Sequence, residues 1–163
     1  MINRRRFVSG IVVTGAAGLA SRAGLANPPA DARLDSPLIY VSPVTSSGAL
    51  SNCQAEVWFA ALDNTLHVVT PPTTWRASAV RQGLGKAQVW IGDVGQWQRS
   101  DGRYQKLPGG MAHARLVTDA STQQRVLEVM SKKYADSGWR RYGRAFQTGL
   151  ADGSRVMLGY SFP

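Results

Sequence analysis

At 163 residues the chain is long enough for one compact domain and short for two. Its formal net charge of +9 falls to +5 once the four arginines of residues 1–26 (Arg4, Arg5, Arg6, Arg22; no acids there) are set aside, leaving fifteen basic against ten acidic side chains. That remainder is scattered apart from Arg140, Arg141 and Arg144, which describes a solvated basic face and argues against a nucleic-acid binder.

The first 26 residues read as a signal peptide: a basic start, an apolar centre "IVVTGAAGLA" over 11–20, and Gly24 and Ala26 as small residues at the −3 and −1 positions of a cleavage site. The centre is too short and too weakly apolar for a permanent span, so no stable membrane span is expected after cleavage. Arg4-Arg5-Arg6-Phe7 resembles the twin-arginine export signal. That resemblance implies the twin-arginine export machinery as a partner, a periplasmic or secreted destination, and carriage of an already folded protein. The alternative is a general secretory signal that starts with arginines.

Residues 27–36, "NPPADARLDS", form a flexible lead-in, and residues 37–163 the domain proper. "PLIYVSPV" (37–44) is aromatic and β-branched and predicts a strand. A second strand lies in 49–62, where Val57, Phe59 and Ala61 alternate with Glu56, Trp58 and Ala60. "DNT" (63–65) signals a hairpin and "LHVVT" (66–70) the third strand. The period then changes: Ala77, Val80 and Leu84 share one helical face over 74–84, closed by Gly83 and Gly85.

"KAQVWIGDVG" (86–95) returns to strand, 96–110 reads as a loop or short hairpin extension, and "MAHARLVTD" (111–119) as another strand. Ser121 with Gln124 suggests a capping box for a helix over 121–136, with Val126, Leu127, Met130 and Tyr134 as its apolar stripe. "GRAFQTGL" and "SRVMLGYSF" read as strands flanking an Asp-Gly hairpin at 151–153. The order β-β-β-α-β-β-α-β-β predicts a mainly β fold, an antiparallel split barrel of six to seven strands with two outer helices.

Cys53 is the single cysteine, which excludes an internal disulfide. Two histidines, His67 and His113, show no paired ligand spacing and give a metal site little support.

The strand-to-helix junction "TPPTTWRASAVRQG" carries the chemistry. A helix N-terminus presents unpaired N–H groups and the positive end of its dipole, where phosphates sit well. Thr73 and Thr74 add hydroxyls, and the helical wheel brings Arg76 and Arg81 to either side of the apolar stripe, within reach of one anion. The plainer reading makes Thr74 a cap and leaves both arginines solvated.

Thr70 closing a strand, a short turn, and Thr74-Trp75-Arg76 opening a basic helix resemble the flavin-phosphate segment of the pyridoxamine 5′-phosphate oxidase-like split-barrel superfamily. There a strand ends in Thr, and a Ser-Arg-Lys triplet opens the helix and holds the FMN phosphate. Thr74 falls where the Ser stands, Trp75 where the Arg stands and Arg76 where the Lys stands. "AEVWFAALDNTLHVVT" looks like the preceding strand pair, and the element order agrees over residues 38–160. The resemblance implies an FMN-binding protein, a flavin-dependent oxidoreductase acting on a small molecule, with a homodimer around the flavin. Trp75 is a departure, so the charge must come from Arg76 with help from Arg81. Nothing matches the substrate-binding arginines of true pyridoxamine phosphate oxidases, which argues against vitamin B6 oxidation. A deazaflavin brings a phosphate to the same helix and stays open as an alternative to FMN. A haem- or flavin-sequestering barrel without catalysis is the rival.

Trp58 is a candidate to stack beside the flavin ring, against packing within the barrel, and Glu56 shares its face. His113 is weighed as a proton donor or haem ligand against a structural role. Trp97, Tyr104 and Trp139 are weighed as pocket covers against packing. A flavin takes a hydride at its own ring, so the sequence names no catalytic residue.

Overall fold

The computed structural model describes residues 35–52 and 54–163. The signal segment, nearly all of the lead-in and Cys53 lie outside the described residues. Seven strands form one antiparallel sheet: β1 (Ile39–Pro43), β2 (Ala55–Val57), β3 (Ala60–Leu62), β4 (Thr65–Thr70), β5 (Lys86–Ile91), β6 (Gly109–Val117) and β7 (Val156–Ser161). Their order across the sheet is β2-β1-β5-β6-β7-β4-β3.

β2 and β3 are thus opposite edges, yet only Trp58 and Phe59 separate them in the chain. The three Cα steps from Val57 to Ala60 reach at most about 11 Å. The sheet must therefore curl until its edges nearly meet, and the seam falls at residues 58–59. This is the split antiparallel barrel that the hairpin-rich order predicts.

The sequence of β4 shows why the sheet is covered on both sides. Leu66 and Val68 face inward with Ile39, Val41, Phe59, Val89, Ile91, Leu158 and Tyr160. Val69 turns outward against Val117, Met157 and the helix residues Val126, Leu127 and Met130. Strand periodicity divides one hydrophobic run between two cores. Asp63 and Asn64 both take positive φ, 50° and 59°, and close the β3–β4 hairpin as expected. Helix α1 (Trp75–Arg81) buries Ala77 and packs against β1 and β6.

Three expectations need correction. The predicted strand over 49–62 is two short strands, because the chain leaves one edge and joins the other at Trp58–Phe59. The predicted strand "GRAFQTGL" is helix instead: α3 (Trp139–Asp152), which makes three helices among the described residues rather than two. Trp139, Phe146 and Leu150 recur at helical spacing and pack on the outer core. Gly143 and Gly149, inside the segment read as strand, are close approaches within the helix, since a Cβ at either would overlap Trp139 or Arg155 respectively. The Asp-Gly pair ends this helix: Gly153 takes φ +81° and acts as its C-cap, and no hairpin forms.

The third correction concerns α2 (Ala120–Lys133). Its cap is Asp119, not Ser121: the Asp119 carboxylate accepts from the Thr122 N–H and from the Ser121 hydroxyl, each at 2.7 Å. These hydrogen bonds hold its pKa down to about 2. Between β5 and β6, two 3-10 turns (Trp97–Arg99 and Arg103–Lys106) replace the loop and fold Tyr104 against Tyr40 and Trp90.

Candidate functional site

A cavity of about 440 Å³ opens at the seam, where the end of β4 meets β2, α1 and α3. Glu56 and Trp58 line it from β2 and the seam, Thr70 from β4 and Arg76 from α1. Tyr142 and Phe146 come from α3, and Arg155 from the turn before β7. Three of the predicted site residues, Trp58, Thr70 and Arg76, are thus brought to one space.

The hydroxyls at the junction have assigned partners. Thr74 Oγ1 donates to the Pro71 carbonyl at 2.9 Å, which engages its single proton. Arg76 Nε donates to Thr70 Oγ1 at 3.1 Å. The 3.2 Å contact between the two threonine hydroxyls is then a donation from Thr70 to Thr74. This relay orients the Arg76 side chain, and it explains why Thr is wanted at both 70 and 74.

The remaining predicted residues sit elsewhere. Arg81 is exposed and its Nη1 donates to the Pro72 carbonyl at 3.1 Å, so it tethers the turn and does not line the cavity. Trp75 is half-buried, its indole N–H buried without a partner among the described residues, and it too is outside the cavity lining. Thr74 caps α1 through its carbonyl, which accepts from Ala77 and Ser78, and makes no side-chain cap bond.

Trp58 stacks face to face on Tyr134, centroids 4.4 Å and planes 5° apart, and meets Tyr142 edge-on at 5.7 Å. Its indole forms a cavity wall buttressed from behind. Glu56 Oε2 accepts from the Trp97 N–H at 3.3 Å. Inside the barrel, burial pushes the Tyr160 phenol far above its usual range, with the Arg76 guanidinium opposing, and its hydroxyl has no partner among the described residues.

Neither histidine lines the cavity. His113 is exposed on β6, while His67 is buried on β4, where burial pushes its pKa down. Tyr104 packs with Tyr40, Trp90 and Trp97, and Trp139 meets Phe146 at 5.9 Å; these aromatics hold the core and do not cover the cavity. Sequence reading missed Tyr142, Phe146 and Arg155. The i, i+4 spacing of Tyr142 and Phe146 was the available signal, hidden by the glycines around it.

No protein-family model matches the chain, and no curated protein is similar to it in sequence. Solved structures do match in shape. HutZ, the heme storage protein of Vibrio cholerae, superposes with a TM-score of 0.55 at 11% identity, over 82% of this chain and 86% of that one. A conserved hypothetical protein of Mycobacterium tuberculosis gives 0.54 at 14% identity, over 79% and 74%. ChuZ of Campylobacter jejuni gives 0.54 at 7% identity over 81% of this chain, which spans half of ChuZ. The likeness shows the fold, a split antiparallel barrel.

Proposed function

We propose that the chain is an exported FMN-binding split-barrel protein, working as a homodimer and as a flavin-dependent oxidoreductase on a small molecule. The observation that carries the reading is the seam cavity, which joins a guanidinium held by a threonine relay to a wall of Trp58, Tyr142 and Phe146. A flat ring bearing a phosphate needs both ends: bidentate guanidinium pairing for the phosphate and aromatic surface for the ring. The volume lies within the range of small-molecule sites. When bound, the flavin supplies hydride chemistry at its own ring. The protein's part is to bind and orient: Arg76, set by Thr70 and Thr74, holds the phosphate, and Trp58 limits where the ring lies. The homodimer and export through the twin-arginine route rest on the sequence resemblances.

Haem is the second reading, favoured by the likeness to the heme storage protein HutZ. Among the described residues the cavity lining offers no His, Cys or Met; its side chains able to ligate iron are the Glu56 carboxylate and Tyr142, and only the tyrosine is a usual haem ligand. The donor set therefore suits flavin better. Purification of the mature protein from cells and its visible spectrum separate the readings. Flavin maxima that bleach on reduction support the proposal, a blue-shifted deazaflavin spectrum redirects it, and a Soret band favours haem. A colourless protein that takes up none of these sinks it.

A further inference from the structure

We propose that Arg155 joins Arg76 in a two-guanidinium clamp for a phosphomonoester at the seam cavity; the inference rests on the flavin reading and extends it to a residue outside the junction. Register supplies the first ground. Val156 pairs with Thr70, so Arg155 immediately precedes the position facing the threonine that orients Arg76. Arg155 reaches the cavity from just before β7 and Arg76 from α1, beside the end of β4, although 79 positions separate them in the chain.

Packing supplies the second ground. The Arg155 N–H donates to the Gly149 carbonyl at 2.7 Å, and its aliphatic stem runs through the space that a side chain at 149 would fill. A Cβ on Gly149 would overlap Arg155 Cγ and stand 3.0 Å from its Cβ. Glycine inside a helix costs about 1 kcal/mol relative to alanine. Here α3 carries that cost at the one place where the arginine crosses it.

Charge supplies the third. The Arg155 guanidinium makes no hydrogen bond or ion pair with any described residue, while it shares a concave site with a second guanidinium. Two like charges facing one cavity repel, and a dianion between them converts that repulsion into attraction. Glu56, the carboxylate of the same lining, accepts from the Trp97 N–H. The Thr70 and Thr74 protons are engaged within the relay, so guanidinium N–H groups are the donors an anion meets.

The test compares FMN with riboflavin, which lacks the phosphate, by fluorescence titration of the mature protein. Wild type is expected to prefer FMN, and Arg155→Gln to lose at least about tenfold in FMN affinity with riboflavin unchanged. Gly149→Ala, which keeps the arginine but fills its channel, is expected to shift FMN affinity in the same direction. Arg140→Gln, on the exposed face of α3, serves as the control and leaves it unchanged. An Arg155→Gln protein with the wild-type FMN-to-riboflavin ratio overturns the clamp while the flavin reading stands. If wild type binds neither flavin, the flavin reading falls and inorganic phosphate decides the clamp. A rise in wild-type Tm with phosphate, over chloride at equal ionic strength, that disappears in Arg155→Gln upholds it; no rise in wild type overturns it.

Discussion

The phenol oxygen of Tyr134 sits against both backbone polar groups of Phe59, 2.9 Å from the nitrogen and 3.0 Å from the carbonyl oxygen. Phe59 lies at the seam, between two edge strands, where no ladder partner reaches it. Tyr134 takes the place of that partner, accepting from the Phe59 N–H and donating toward the Phe59 and Pro37 carbonyls. Tyr134→Phe keeps the ring that supports Trp58 but leaves buried backbone groups unpaired, at a cost of about 1–3 kcal/mol. Chemical denaturation is expected to show that loss, with flavin titration little changed. Burial also pushes the Tyr134 pKa up to about 12, against 10.0 for a free phenol. The unfolded chain therefore loses this proton first, and stability falls from pH 10 toward 12. That part of the fall is absent from Tyr134→Phe; identical alkaline limbs in the two proteins would contradict the seam role.

A second prediction concerns the closest approach in the sheet. Gly109 faces Trp90 across β5 and β6, and a Cβ there would stand 2.8 Å from the Trp90 Cα and 3.0 Å from the Val89 carbonyl carbon. Both are backbone atoms of an interior strand, with no rotamer to move aside. Gly109→Ala is expected to destabilise by roughly 1–3 kcal/mol, the range of strained overpacking. Its neighbour Gly110 is the control, because a Cβ there meets only the Phe162 ring, at 3.6 Å. Thermal unfolding that ranks Gly110→Ala as the more damaging of the two would refute the contact.

Much of the barrel was legible because β4 and its hairpin announce themselves: alternating apolar residues, then Asp63-Asn64, then a change of period at Thr74. The seam was not legible. Val57, Phe59 and Ala61 alternate as one strand does, and nothing local shows that the chain crosses from one edge of the sheet to the other. α3 was misread for a similar reason, since Gly143 and Gly149 look like strand or turn punctuation until Trp139 and Arg155 are seen lying over them. At the cavity, Arg76 could be found from helical spacing and Thr70 from the resemblance of the junction to a flavin-phosphate segment. Arg155 could not, because only the β4–β7 register brings it beside Thr70.

The last prediction follows from a cation over an aromatic ring. Lys133 Nζ lies 3.4 Å from the centroid of Phe59 and has no hydrogen-bond partner among the described residues. Burial, only partly opposed by Asp35, brings its pKa down to about 8 from 10.5. Below pH 8 the amine is charged in both states and its desolvation works against folding. Between about 8 and 10.5 the folded protein has released a proton that the unfolded chain still binds, so this group makes stability rise with pH. Lys133→Met keeps the length of the side chain over Phe59 and removes the charge. Relative to this variant, wild type is expected to be less stable at pH 7 and to gain on it through that window, measured by denaturant midpoints at fixed ionic strength. The alkaline loss from Tyr134 is common to both proteins and cancels in the comparison. A wild-type-minus-variant difference that stays flat from pH 8 to 10.5 would show that the amine reaches water and that the Phe59 contact does not hold it.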